Sequence, residues 1–435
     1  MNKNKLFVLG LDGVPYTFLL RKIRSGAMPN LAKLAKASHF QAIDSVQPPV
    51  SSSAWASFLT GKQPHQHGIL SFTERDPYTM DWFTPDARHL KTKTFVEELS
   101  EQGKRVFIMN VPVTYPAKPI NGISICGFLG TDLKKGVYPV EETDFLINSG
   151  YKIDVDTELA KTDLAAFLMV LRQVLEKRIE VMWHYFDQEN WDFFMTHIME
   201  TDRLFHFTWE LMENNDPLIS GFYEGFFRRI DDVIGRIMGS IDDNTTLMIL
   251  SDHGFTTLKQ EVYLNRWLWE NDYLRFTKPV PQSLHDIHPQ SKAYALYPGR
   301  IFINLKGREI SGSVHAGTTY EKLRMELCQK LLRITLPGTS EKIINEVIYG
   351  EKLYPGSIKT SENVADLFAV AHDGYDIKGQ LWNKHLFHKG IFNGMHSFSN
   401  AFLMIKGISE SPSASSIADI YRVILRTINI EDRWS

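Results

Sequence analysis

The chain of 435 residues is 43% hydrophobic and carries a formal net charge of -3, with 48 Lys and Arg against 51 Asp and Glu. Balanced charge without a long basic run argues against a nucleic-acid partner, and the length calls for one large α/β domain with insertions or for two domains. Cys126 and Cys328 stand far apart in no metal-type spacing, which argues against a disulfide framework and fits a reducing compartment.

Residues 6–11 form a continuous apolar run, as a strand buried on both faces requires. Ending at Asp12, this run is too short for a secretory leader, and no window approaches the roughly 18 apolar residues of a membrane span. A cytoplasmic protein is therefore expected. Spacing from Phe18 to Ile23 predicts a helix that stops near Gly26. Pro48 and Pro49 then break the chain, and a helix over 51–59 is entered through Ser51, Ser52 and Ser53, residue types that favour N-caps. A strand at 106–109 and a long amphipathic helix over 163–185 follow, then a strand at 193–198 leading into a helix over 202–212. Further helix is expected over 226–237 and strand over 246–250. Residues 258–298 read as irregular, rich in Pro and aromatics. Strands at 301–305 and 401–405 flank the late part of the chain, 409–416 reads as a Ser-rich loop, and a helix over 417–428 closes it. Strands alternating with helices imply an α/β fold with a largely parallel central sheet flanked by helices.

Two of the apolar strands end in an acid, at Asp12 and at Asp252-His253. Ligands of doubly wound sheets collect at the carboxyl ends of strands, so both positions point to one crevice. A third strand, ending near His197, leads into Asp202 and His206, which are four apart on a helix and can grip one metal. His396 stands in a turn before the last strand. Three Asp and three His are donors that Zn²⁺ accepts; six are too many for one tetrahedral ion and about right for two catalytic ions with open positions. Ser51, Ser52 and Ser53 sit where a helix N-terminus favours phosphate, and a serine needs a base or a metal to become a nucleophile. The residues alone do not choose among the three serines.

Taken singly, each feature has a plainer reading. Asp12 and Asp252 would also serve as caps, and Asp202 with His206 as a surface pair. His65 and His67 fall in a Pro-Gly turn, where His67 braces the loop after the serine helix. His372, His385 and His388 read as a polar insert.

In chain order, Gly10-Leu11-Asp12-Gly13, the segment from Pro48 through Ser51 and Trp55 to Thr60-Gly61, His67-Gly68-Ile69, Thr201 to His206, Ser251 to Phe255 and Gly394-Met395-His396 resemble the alkaline phosphatase superfamily. The likeness is to its type I phosphodiesterase/nucleotide pyrophosphatase branch, and within it to an intracellular phosphohydrolase/phosphomutase-like group. The resemblance implies a single alkaline phosphatase-like catalytic domain over 1–435, with insertions near 115–185 and 256–300 forming a cap that carries specificity. In this family the nucleophile lies nine residues before the Thr of a Thr-Gly pair, so Thr60 points to Ser51. The same resemblance implies two divalent metal ions, Zn foremost and Mn as the alternative. Asp12, Ser51, Asp252 and His253 would hold one, and Asp202, His206 and His396 the other. One departure stands out: nucleotide pyrophosphatases of the branch carry a phosphate-binding Asn 21 residues after the nucleophile, where this chain has Phe72. Asn110 and Arg203 are the candidates to position the free phosphate oxygens instead.

The expected activity is hydrolysis of a small-molecule or lipid-linked phosphate ester, as phosphodiesterase or phosphomonoesterase, through a phospho-serine. A phosphomutase or phosphotransferase would use the same intermediate. A sulfatase would need Pro and Arg after the nucleophile, which Ser53 to Trp55 lack, and a non-catalytic binding protein would be expected to have lost ligands, whereas every position is filled.

Overall fold

Six of the seven residues of strand β1 (Lys5–Leu11) are buried, because the strand lies near the middle of a sheet flanked by helices. The computed structural model describes residues 5–188, 190–357 and 362–430. Along the chain, β1 is followed by β2 (His39–Ile43), β3 (Val106–Met109), β4 (Gly122–Ile125), β5 (Val137–Tyr138), β6 (Phe193–Ile198) and β7 (Thr245–Leu250). A short pair, β8 (Gly254–Thr257) and β9 (Gly394–Ser397), precedes β10 (Ala401–Lys406). The eight strands of the main sheet lie in the order β2-β10-β7-β1-β6-β3-β4-β5. The five from β7 to β4 run parallel, while β10 and β5 run against their neighbours. The expected α/β fold with a largely parallel sheet is what the chain adopts.

Register sets the site. Gly10 of β1 is level with His197 of β6 and with Leu250 of β7, so three adjacent strands finish side by side. The residues that follow them, Asp12, Asp202 and Asp252, are delivered to one edge.

The helices used below are α1 (Tyr16–Arg24), α2 (Ser51–Thr60), α3 (Leu164–Gln188), α4 (Glu200–Glu213), α5 (Pro217–Ser240) and α6 (Ile420–Thr427). Val8, Met195 and Met248 of the sheet share a hydrophobic cluster with Trp55 and Phe58 of α2 and with Ile420 and Ile424 of α6. Each such side chain contributes about 1.5–3 kcal/mol by leaving water. On alternate positions Phe7, Phe194 and Phe107 stack across β1, β6 and β3, with centroids 5.1 and 4.2 Å apart.

Gly61 ends α2 in the left-handed region (φ 65°), its N–H bonded to the Ser57 carbonyl at 2.8 Å. The Tyr421 ring lies where a Cβ would be, 2.7 Å away. The Thr60-Gly61 pair is thus a helix stop packed under α6.

Three expectations are corrected. The N-cap of α2 is Val50, in extended conformation, and the three serines form the first helical turn instead of capping it. The helix expected over 226–237 begins at Pro217, because Asp216 caps it by accepting from the N–H groups of Leu218 and Ile219 at 3.0 and 3.2 Å. The stretch 258–298, read as irregular, contains strands Gln260–Tyr263 and Ala293–Leu296 and helix Leu264–Glu270, and Trp267, Tyr273 and Tyr294 pack in a core while Trp269 is exposed.

The described residues divide into two compact units. The first takes the chain to Ile69, then Asp86–Thr256 and the residues from Asn393 on, and includes the main sheet. Residues 115–185 belong to it. The second takes Leu70–Pro85 and Thr257–Phe392, beginning near the later expected insertion but running far past residue 300. It has its own core around Tyr294, Phe302 and Leu327, and a four-stranded antiparallel sheet made of Ala293–Leu296, Arg300–Ile303, Leu367–Ala371 and Ile344–Tyr349. Buried Arg308 is matched there by Glu309 at 2.9 Å and Asp366 at 2.7 Å. Phe72 lies in this second unit. No helix among the described residues is long and apolar enough to cross a membrane.

Candidate active site

Asp12 follows β1 directly, and its buried carboxylate is reached by Ser51 from the first turn of α2. The Ser51 hydroxyl donates to Asp12 Oδ1 at 3.3 Å and lies 3.2 Å from His253 Nε2. Ser51 is 1% exposed, yet it stands at a helix start whose first-turn N–H groups have no carbonyl four residues back. Ser52 and Ser53 are fully buried, and their hydroxyls have no hydrogen-bond partner. Among the three serines, only Ser51 meets the acidic cluster.

Three imidazoles are presented in the same way. The Nδ1 of His206 faces the Gly394 carbonyl at 3.1 Å, that of His396 the Pro49 carbonyl at 3.0 Å, and that of His253 the Gly254 carbonyl at 3.0 Å. A carbonyl only accepts, so each Nδ1 carries hydrogen and each Nε2 is turned inward. The inward atoms converge. His206 Nε2 and His396 Nε2 are 2.9 Å apart, and they lie 3.4 and 3.2 Å from one oxygen, Asp202 Oδ1. The spacing of Asp202 and His206 on α4 produces this, as i,i+4 residues share a helix face. The His253 and His396 rings stack at 3.7 Å, and His253 Nε2 lies 3.3 Å from Asp252 Oδ2.

Two groups therefore form among the described residues, Asp202 with His206 and His396, and Asp12 with Asp202 and His253, the donor atoms of each lying within 4.8 Å of one another. All seven residues named from the sequence for metal and nucleophile roles meet at the carboxyl edge of the sheet. Asp202 stands in both groups, which the sequence did not indicate.

Charge at this edge is unbalanced. Burial, aided by the neighbouring Asp12 carboxylate, pushes the Asp252 carboxyl well above the usual range. Its Oδ1 accepts from the Gly13 N–H at 3.1 Å, while Oδ2 is buried with no hydrogen-bond donor. Burial and the adjacent His396 push His253 down to about 3, so this ring stays neutral. Against Asp202 burial works upward, but the His206 and His396 rings hold its carboxyl well below the usual range. Burial opposes a charge on His396, and the Asp202 carboxylate overrides it and raises that imidazole.

A carboxylate oxygen without a hydrogen-bond donor, and two imidazole nitrogens converging on one carboxylate oxygen, are arrangements a bound cation resolves. The mixed oxygen and nitrogen donors suit a divalent ion such as Zn²⁺. The residues fit the group the sequence analysis expects.

The two candidates for phosphate contacts are placed differently. Asn110, after β3, is fully buried with φ 65°. Its amide donates to the His197 carbonyl and accepts from the Tyr151 hydroxyl, each at 3.3 Å. Arg203 is beside the cluster: its guanidinium pairs with Asp154 at 2.6 Å, reaches Asp202 at 3.4 Å and lies 4.6 Å over the Phe128 ring. His67 donates from Nε2 to Ser57 Oγ at 2.9 Å and accepts the Ile69 N–H at Nδ1, bracing the loop behind α2. Three residues around Asp12 were not singled out by the sequence. Trp55 Nε1 donates to Asp12 Oδ2 at 3.0 Å, Thr201 Oγ1 donates to its carbonyl at 2.6 Å, and His197 Nε2 meets Oδ2 at 2.8 Å. The available signal was a histidine, next to Thr196, near the end of a largely apolar strand.

A parallel α/β sheet gathering carboxylates, imidazoles and a helix-start serine at one edge defines an alkaline phosphatase-like protein, and solved structures agree on the fold. Murine ectonucleotide pyrophosphatase / phosphodiesterase 5 is 14% identical with a TM-score of 0.59, covering 98% of this chain and 95% of its own. The phosphonoacetate hydrolase of Sinorhizobium meliloti 1021, solved with phosphonoformate, is 14% identical with a TM-score of 0.64, covering 98% and 96%. No curated protein matches the chain. The sequence profile of the type I phosphodiesterase / nucleotide pyrophosphatase family matches residues 6–399, and the chain belongs to that family. It is a phosphoric ester hydrolase.

Proposed function

We propose that the chain hydrolyses a small-molecule or lipid-linked phosphate ester with Ser51 as nucleophile, using two divalent cations held by Asp12, Ser51, Asp252 and His253 and by Asp202, His206 and His396. One observation carries the reading: the Ser51 hydroxyl lies 3.3 Å from Asp12 Oδ1 and 3.2 Å from His253 Nε2, at the start of α2. When bound, the cations would act as Lewis acids that lower the pKa of hydroxyl and water and offset charge on the phosphoryl oxygens.

The chain's own residues do the rest. The first turn of α2 offers N–H groups and the positive end of the helix dipole to phosphate oxygens. Asp12 Oδ1 accepts the Ser51 proton's hydrogen bond and aims the Oγ lone pair. As the Ser51 Oγ–P bond forms, the Ser51 proton passes to solvent, the ester P–O bond breaks and the leaving oxygen takes a proton from solvent. Water then attacks the same phosphorus, the P–Oγ bond breaks, phosphate (from a diester, the phosphate monoester) departs, and a proton of the water restores the Ser51 hydroxyl. Arg203, stacked on Phe128 and close to Asp202, is the better placed of the two candidates for a free phosphate oxygen. The amide of Asn110 is already engaged inside the protein.

Zn²⁺ is the cation we favour, with Mn²⁺ the alternative. Both cysteines are free thiols, in keeping with a reducing, cytoplasmic setting. Ser51→Ala tests the reading: turnover of aryl phosphate mono- and diesters should fall by at least about a thousandfold with metal content largely retained. Turnover at the wild-type rate would contradict it.

A further inference from the structure

We infer that His197 is a positioning residue that makes Asp12 a one-oxygen ligand, so that only Oδ1 faces Ser51 and the cation. The inference rests on the function proposed above and concerns how the first cation's site is built. Every other polar atom of Asp12 is occupied. Its N–H bonds the Ile198 carbonyl at 3.1 Å, its carbonyl accepts from Thr201 Oγ1 at 2.6 Å, and its Oδ2 takes Trp55 Nε1 at 3.0 Å and His197 Nε2 at 2.8 Å. What is left, Oδ1, lies 3.3 Å from Ser51 Oγ and 3.6 Å from His253 Nε2.

His197 is itself fixed. Its Nδ1 meets the Asn110 carbonyl at 2.8 Å, and that oxygen only accepts. Nδ1 therefore carries hydrogen, and Nε2 is held against Asp12 Oδ2 at 2.8 Å. Trp55 packs edge-on to the ring, centroids 4.7 Å apart. Gly10 leaves room for both: a Cβ there would lie 2.9 Å from Trp55 Cη2 and 3.0 Å from His197 Cδ2. Asn110 finds its use here, since its backbone anchors the ring that anchors the carboxylate. Such outer partners of metal ligands typically change affinity by about 10–100-fold when removed.

The test uses the full-length protein in three versions, wild type, His197→Leu and His197→Gln, titrated with Zn²⁺ against a competing chelator while the melting of the metal-free forms is followed. The expected result is two bound equivalents in the wild type, and about a 10–100-fold loss in His197→Leu confined to one of them. His197→Gln, whose amide can still donate to Oδ2, should recover most of that loss. Wild-type affinity at both equivalents in His197→Leu, or equal losses in the Leu and Gln variants, would overturn the inference. If His197→Leu does not fold, Trp55→Phe removes the other Oδ2 donor while keeping a ring, and should weaken the same equivalent several-fold; no change there would equally overturn it. A wild type that binds no divalent cation would instead refute the proposed function, and this inference with it.

Discussion

His206 Nε2 and His396 Nε2 stand 2.9 Å apart, each ring tethered through Nδ1 to a backbone carbonyl. Backbone tethering means the two rings hold their directions by themselves, so the second cation site proposed above would be preformed, and binding there should rigidify little else. Preformed sites couple binding directly to stability: a ligand at a hundred times its Kd adds about 2.7 kcal/mol. Exhaustive chelation should therefore lower the melting temperature and abolish turnover, and Zn²⁺ or Mn²⁺ should restore both. Differential scanning calorimetry with elemental analysis checks this, and a chelated protein of unchanged melting temperature and rate would refute it.

His67 predicts an acid-sensitive stability. Burial lowers this imidazole from its ordinary 6.5 to about 3. Between those values the unfolded chain binds a proton that the folded chain refuses, so stability falls as pH drops through that window and is insensitive to this group above it. The slope due to His67 is about 1.4 kcal/mol per pH unit. His67→Gln should lose stability at pH 7 by breaking the Ser57 contact, yet show a shallower decline between pH 6 and pH 4. Denaturant melts at several pH values measure both.

Gly61→Ala should destabilise the fold by about 2–4 kcal/mol, since it combines a left-handed backbone with overpacking against Tyr421. The site lies at the opposite end of α2, so turnover per folded molecule should hardly change. Urea unfolding and specific activity together separate the two effects.

Arg178 and Glu200 form a buried pair at 2.7 Å, with the Tyr151 hydroxyl 2.9 Å from the guanidinium. Glu200 opens α4, two residues before Asp202. Arg178→Met leaves that carboxylate buried and unmatched, a loss of about 3–5 kcal/mol. The double change with Glu200→Gln should recover part of it, as a thermal-melt cycle would reveal.

The strands were legible because buried parallel strands are largely apolar: 6–11 is so throughout, and 193–198 and 246–250 are broken only by Thr196, His197 and Thr246. The acids at their ends were legible for the same reason, a charge closing an apolar run. Other features were hidden. Strand Gly122–Ile125 sits at 122–125 with a serine in its middle, and β5 has only two residues, so neither produces a period. The aromatics of 258–298 hid a helix and two strands, since core packing of a second unit needs no amphipathic pattern. His197 was hidden because its partners, Asp12 and the Asn110 carbonyl, lie 185 and 87 residues away in the chain. Only β-sheet register makes them neighbours.

The central claim is that Ser51 carries the phosphoryl group. Rapid acid quenching of the enzyme during turnover of a ³²P-labelled phosphate ester, followed by peptide mapping, tests it most directly. Label confined to the peptide containing Ser51, and absent from Ser51→Ala, is the predicted result; label on another residue, or steady turnover with no labelled protein at any quench time, would contradict it.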